Sequence, residues 1–189
     1  MSGIAGIAHS NRLKDVELML DALKHRGPAG RAVLDLDSGN ATLGVVWPAP
    51  QAVLEKALLE KHTARDCAGT GRLAEAEVTD RGIAITRDSL GAAPLYYGWT
   101  KDHEFCFASE VKALLKVSKE VYEVPPGVIR DLQHFSPPAP PAPGPALNGS
   151  PEKIAVELFS VLDQAVKRSA QNGAAGCWLS GGLDSSVLC

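Results

Sequence analysis

The chain has 189 residues, 45% of them apolar and 22% charged, and a formal net charge of -3. That length suits one domain or two small ones with a buried core, and the slight negative charge argues against nucleic acid as a partner. No apolar run approaches the roughly 20 residues of a bilayer-spanning helix, and the start Met-Ser-Gly-Ile-Ala-Gly-Ile lacks the basic region of a secretory leader. A cytoplasmic protein without membrane contact is the expectation.

Residues 1–135 read as strand-rich. Ser2 to Ala8 alternates small and apolar residues, and Ala41 to Trp47 is a short apolar run. Gly82 to Arg87 and Glu104 to Ser109 read as strands paired around a Gly-rich connection. Helical periodicity covers Leu13 to His25 and Gln51 to His62. His25-Arg26 followed by Gly27-Pro28 closes the first helix at its negative end. Arg87-Asp88 with Gly91 and Pro94 reads as a turn, and Tyr96-Tyr97 as a strand with one face in the core. The sum is an α+β lobe of two packed layers.

Cys67, Cys106, Cys177 and Cys189 are irregularly spaced, with no C-x-x-C pair and no histidine pattern that would complete a zinc site. They read as ordinary thiols, with Cys106 and Cys177 expected in the core. No metal-ligand set is identified.

Ser136 to Ser150 is proline-rich and uncharged, which favours an extended, semi-rigid spacer. A docking segment for a proline-binding partner is the other reading. Beyond it, Ser150-Pro151-Glu152 has the form of an N-cap, a first-turn proline and an acid near the positive end of the helix dipole. Ile154, Leu158, Val161, Leu162 and Ala165 then recur at helical spacing to about Ala170. Gln171-Asn172-Gly173 leads into an apolar strand from Gly176.

That strand enters Leu179-Ser180-Gly181-Gly182-Leu183-Asp184-Ser185-Ser186, a Gly- and hydroxyl-rich turn that opens a helix. Gly181 and Gly182 remove Cβ atoms that would hold backbone amides away from an anion, and three serines add hydroxyl donors. A phosphate or pyrophosphate is the ligand this chemistry suits. The Walker pattern with its lysine is absent, as is G-x-G-x-x-G. A polar strand-to-helix turn is the plain structural alternative. The lone strand implies a domain continuing past Cys189.

The loop resembles the pyrophosphate-binding loop of the ATP pyrophosphatase superfamily, which includes the asparagine synthetases. Four earlier segments resemble the glutaminase domain of glutamine-dependent asparagine synthetase: Lys24-His25-Arg26-Gly27-Pro28, Arg87-Asp88 through Gly91, Pro94 and Tyr96-Tyr97, Phe107-Ala108-Ser109-Glu110 with Lys112-Ala113-Leu114, and Val124-Pro125-Pro126-Gly127. The resemblance implies an N-terminal-nucleophile-hydrolase-like lobe over 1–135, a linker over 136–150, and over 151–189 the opening elements of an α/β ATP-pyrophosphatase domain. It implies ATP and Mg²⁺ as cofactors and aspartate and ammonia as substrates of an amide-forming ligase, with a homodimer possible. Leu179, Ser180, Gly181, Gly182, Asp184, Ser185 and Ser186 would then hold the nucleotide.

Two departures from that family stand out. Its nucleophile is a cysteine after the initiator methionine, whereas this chain has Ser2, and a hydroxyl is much the poorer nucleophile at neutral pH. The family also holds glutamine with an Arg-Leu motif, an Asn-Gly-Glu motif and an acidic residue. Here Leu43-Gly44-Val45-Val46-Trp47 falls where Arg-Leu belongs, and Asn-Gly-Glu is missing. The segment between His25 and Arg87 is also short for the strands expected there. A nucleophile without a substrate clamp or oxyanion donors loses most of its catalytic help, so glutamine hydrolysis is expected to be lost. A non-catalytic scaffold, a β-lactam-forming ligase and a Ser2 amidohydrolase are the alternatives.

Overall fold

The computed structural model describes residues 2–38, 40–48, 59, 61–68, 72–80, 82–127, 129–130, 135–136, 144, 149–170 and 176–189. The chain forms two units, residues 1–139 and 140–189. In chain order the first contains β1 (Gly3–Ile7), α1 (Leu13–Leu23), β2 (Gly30–Leu36), β3 (Ala41–Trp47), β4 (Thr63–Ala68), β5 (Arg72–Thr79), β6 (Gly82–Arg87), β7 (Tyr96–Thr100), β8 (Phe105–Ala108), α2 (Val111–Leu114), β9 (Ser118–Glu123), β10 (Ile129–Arg130) and β11 (Phe135–Ser136).

Strand β1 lies inside a six-stranded sheet of order β2-β3-β1-β8-β7-β9, antiparallel to both of its neighbours. A second sheet has the order β11-β10-β6-β5-β4. The two-residue period of a strand sends successive side chains of β1 and β3 to opposite faces. Ile4, Leu43 and Val45 therefore meet Ala74, Ala76, Ile83 and Ile85 in a core that includes both sheets. Ala5, Ile7 and Val46 meet Val16, Met19, Leu20 and Leu23 of α1 on the other face. A Cβ added to Gly44 would come 2.7 Å from Val16 Cγ1 and 2.8 Å from Leu20 Cδ1, so α1 lies against bare backbone at that point of β3.

The strands expected at Ser2–Ala8, Ala41–Trp47, Gly82–Arg87, Tyr96–Tyr97 and Glu104–Ser109 are present, with ends within a residue or two, as is the first helix. One pairing differs. β6 pairs with β5 and β10, while β8 pairs with β1 and β7 in the other sheet. The reason is local: Gly82, at φ +106°, closes a short turn that hands β6 a nearer partner in β5. Most of the helix expected over Gln51–His62 lies outside the described residues, as does most of the proline-rich stretch.

The second unit contains α3 (Pro151–Ala170) and α4 (Leu183–Leu188). Ser150 caps α3 as its sequence suggests, accepting from Lys153 N at 3.4 Å. Residues 176–180 form no strand, because no described residue pairs with them. Cys177 is consequently exposed rather than in the core, and Trp178 is 96% exposed. Cys106, by contrast, is fully buried on β8, and burial beside Glu104 pushes its thiol up to about 12.

Candidate functional site

Ser2 immediately precedes β1 and is fully buried. After α1 ends, Arg26 N donates to Leu23 O at 2.9 Å and the guanidinium turns inward. Its Nε donates to the Ser2 carbonyl at 2.9 Å, Nη1 to Glu110 Oε1 at 3.2 Å and Nη2 to Asp66 Oδ2 at 2.5 Å. Arg26 thus does more than close a helix, since it ties the chain's start to β4 and to the turn before α2. Gly27 allows that path: a Cβ there would lie 2.2 Å from the backbone nitrogen of Trp47.

Asp66 sits at an inward position of β4, next but one to buried Ala64, and is itself fully buried. Burial pushes its carboxyl up, against the pull of Arg26 and of Arg72, whose Nη2 is 3.5 Å away. Its Oδ1 has no hydrogen-bond partner among the described residues. Glu110 is part-buried, and burial alone would raise it. Hydrogen bonds from Lys112, His25 and Arg26 outweigh that and hold it below the usual carboxylate range. His25 Nε2 lies 2.9 Å and Lys112 Nζ 3.1 Å from its oxygens.

Sequence reasoning singled out Ser2, gave Arg26 only a helix-closing role, and missed Arg26, Asp66, Arg72 and Glu110 as members of one cluster. The available signal was the in–out alternation of Thr63-Ala64-Arg65-Asp66, which places a carboxylate where a core residue belongs.

Beside Ser2 the neighbouring strand offers no polar clamp. Gly3 is opposite Val46, and a Cβ on Gly3 would sit 3.1 Å from Val46 Cγ2. Every residue of β3 from Ala41 to Trp47 is buried, and none carries a charge. An open concavity of about 690 Å³ elsewhere is lined by Arg12, Trp99, Lys101 and His103, and includes none of the Ser2 cluster.

Arg87 and Asp88 have the structural roles expected of them. Asp88 Oδ1 accepts from Leu90 N at 3.1 Å and Ala92 N at 2.9 Å, and Oδ2 from Ala93 N at 2.9 Å and Leu73 N at 3.3 Å. Burial acts to raise this carboxyl, but those four amides bring it below its ordinary value. Arg87 spans the turn, donating to Ala93 O at 2.7 Å and Gly91 O at 2.8 Å.

In the second unit, Ser180 Oγ lies 3.0 Å from Ser185 Oγ, while Ser185 Oγ and Ser186 Oγ donate to Gly182 O at 3.1 and 2.8 Å. Gly181 takes φ +80°, and a Cβ on it would meet no atom within 4 Å. The loop therefore gathers Ser180, Gly181, Gly182, Ser185 and Ser186, with Asp184 beside them and Leu179 exposed at its entry. Hydroxyl donors around bare glycines fit a phosphate group. Among the described residues no group of three or more His, Cys, Asp or Glu could hold a metal, so any Mg²⁺ here would depend on phosphate oxygens for most of its ligands.

Comparison with known proteins bears mainly on the first unit. Residues 55–141 match the glutamine amidotransferase domain family. Asparagine synthetase [glutamine-hydrolyzing] 2 of Arabidopsis thaliana is 33% identical over 119 residues, covering 59% of this chain and 20% of that protein. The enzyme of the same name from Oryza sativa is 26% identical over an alignment of 236 positions, covering 98% of this chain and 39% of its own length. That alignment is longer than the chain, so the rice protein carries residues this one lacks. Glutamine phosphoribosylpyrophosphate amidotransferase from B. subtilis superposes with a TM-score of 0.51 at 16% identity, over 72% of this chain and 48% of that one.

The first unit has an N-terminal-nucleophile-hydrolase-like glutamine amidotransferase fold. Over this region the chain is similar to asparagine synthetases. It spans about a fifth of the length of the Arabidopsis relative and two fifths of the rice one.

Proposed function

We propose that the chain is part of an ATP-dependent, amide-forming ligase of asparagine synthetase type, cytoplasmic, which takes nitrogen as free ammonia because its amidotransferase lobe no longer hydrolyses glutamine. The observation that carries this reading is the apolar strand beside Ser2, with Val46 opposite Gly3 where a glutamine clamp would need a cation. Asp66 offers one buried carboxylate oxygen to a ligand amine, but one carboxylate without a partner for the ligand's own carboxylate does not fix a reacting amide in place. The lobe then serves as a scaffold attached to the synthetase part.

The nucleotide half of the reading rests on the 179–186 loop. Leu179 would border the nucleoside, while Ser180, Gly181, Gly182, Ser185 and Ser186 would receive the pyrophosphate and Asp184 would order the loop or meet Mg²⁺. ATP would supply the activation that lets ammonia displace a leaving group at the side-chain carboxyl of aspartate. For this chain's residues the task is binding and orientation, with the serine hydroxyls turning from Gly182 O to phosphate oxygens.

The test is pyrophosphate release by the native protein with Mg·ATP and aspartate, comparing ammonium with glutamine as nitrogen source. Ammonium-dependent release with no glutamate formed from glutamine is the expected result. Glutamate formation that Ser2→Ala abolishes would overturn the reading of the lobe, and release under neither condition would overturn the ligase.

A further inference from the structure

The concavity of about 690 Å³ is walled by three parts of the first unit: the start of α1, the turn between β7 and β8, and the link from α2 into β9. The turn contributes Lys101, the link Lys116 and β9 Lys119. All three are exposed, and among the described residues none of them has an ion pair. The nearby carboxylates are engaged elsewhere. Asp15, Asp102 and Glu104 surround Arg12 at 3.4, 3.1 and 2.5 Å, and Glu120 accepts from the Tyr122 hydroxyl at 3.2 Å. In a chain of net charge -3, three lysines therefore face one hollow without a counter-charge. Their mutual repulsion is relieved by a negatively charged ligand.

Local structure explains how Lys119 comes to be there. Gly98 pairs with Val121 and Thr100 with Ser118, so between those pairs β9 carries one residue more than β7, which makes a bulge. Two groups build it. A Cβ on Gly98 would lie 2.2 Å from Glu120 O, so the bulged backbone passes over bare backbone at that point. Ser118 Oγ closes the bulge by donating to Glu120 O at 2.6 Å and accepting from Glu120 N at 3.2 Å. Consecutive residues of a regular strand face opposite ways. Here Ser118, Lys119 and Glu120 all line the same concavity.

We propose that this concavity binds a small organic polyanion, a molecule with two or more phosphate or carboxylate groups that meet Lys101, Lys116 and Lys119 separately. Its volume lies within the roughly 300–1,000 Å³ of small-molecule sites. Leu115, 55% exposed, and Val117 give it an apolar wall for a carbon skeleton. His103, held at φ +62° in the turn, adds a ring nitrogen. Arg12, already ringed by carboxylates, braces the wall. The site is independent of the nucleotide reading of the 179–186 loop.

The experiment titrates the full chain, labelled with nitrogen-15, with pyrophosphate and separately with citrate at low ionic strength, following backbone amides by NMR. Saturable shifts at Thr100, Lys101 and Lys119 are expected with one or both probes, and the probe that binds more tightly identifies phosphate or carboxylate as the preferred group. Lys101→Gln and Lys119→Gln should each weaken this binding about five-fold, since each removes one charge contact. Lys24→Gln, at the far end of α1, should leave it unchanged. Pyrophosphate shifts confined to residues 180–186, with neither probe moving the three concavity amides, would overturn the site. Concavity shifts that Lys24→Gln weakens as much as Lys101→Gln does would overturn it too, by reducing it to general charge attraction.

Discussion

Arg26 reaches back 24 positions to donate its Nε to the carbonyl of Ser2 at 2.9 Å, inside a site from which solvent is almost wholly shut out. The same guanidinium pairs with both Asp66 and Glu110. One side chain therefore fixes the backbone at Ser2 and joins two carboxylates whose charge it shares in balancing with Arg72, His25 and Lys112.

Arg26→Ala should cost about 3–5 kcal/mol, because it leaves Asp66 buried beside Arg72 alone and opens a void beneath β1. Arg26→Lys should recover little of this, since one ammonium cannot match the three-way fork. Urea denaturation of the three proteins measures both effects.

Asp66→Asn should be far milder, within about 1.5 kcal/mol. Burial raises the Asp66 carboxyl in the folded state above its unfolded value. The folded protein therefore takes up this proton more readily than the unfolded chain, and stability gains as pH falls through the folded value towards the unfolded one. That gain should vanish in the Asn variant, which stability measured from neutral pH down to about pH 4 would reveal.

Asp88 carries the opposite sign. Its folded carboxyl lies below its unfolded value, so its contribution is complete above the unfolded value and is lost as pH falls through the folded one. Asp88→Ala should cost about 1–2 kcal/mol by stripping four amides of their acceptor, with the deficit shrinking in acid. Thermal melts at neutral and acid pH compare the two.

Gly27→Ala should destabilise by about 2 kcal/mol or more, since the new methyl meets the backbone of Trp47 and has no flexible neighbour to displace. Gly44→Ala should be cheaper, because the atoms it meets belong to the side chains of Val16 and Leu20. Denaturation midpoints of both variants give the ranking.

Ser2→Cys should not create a glutaminase. A better nucleophile leaves the strand Ala41–Trp47 uncharged, so that strand still supplies glutamine no cation. Glutamate release at the rate of the parent protein is the expected reading.

In the six-stranded sheet β2 and β9 were not expected, because neither shows so clear a pattern as the rest. The other four strands were legible from simple signatures: small–apolar alternation in β1, a short apolar run in β3, paired aromatics in β7 and β8. Their partners were less so. Gly82–Arg87 and Glu104–Ser109 look alike as strings, and which sheet each joins depends on which partner the preceding turn brings near. Asp66 escaped notice because a carboxylate in a strand reads as a solvent-facing residue until the burial of Ala64 fixes the phase of β4. Cys177 misled for the converse reason. Apolar neighbours imply a core only where another strand or helix covers them, and here Trp178 and Leu179 are exposed. The turn at Gly181-Gly182 and the helix after it were legible, since glycine positions act through backbone geometry, whereas the strand expected before them is not formed.

Placing β1 between β3 and β8 has a consequence for how the chain reaches this state. Ile4 N donates to Ser109 Oγ, and Ser109 N to Ile4 O, each at 2.9 Å across 105 positions of sequence. Contacts so distant close the largest loops and are slow to form. During synthesis the first residues to emerge wait roughly 5–20 s for their last partner. The neighbourhood of Ser2 is thus assembled only after β8 and Ser109 have been made, so premature arrest before Ser109 leaves the β1 edge bare for pairing with other chains.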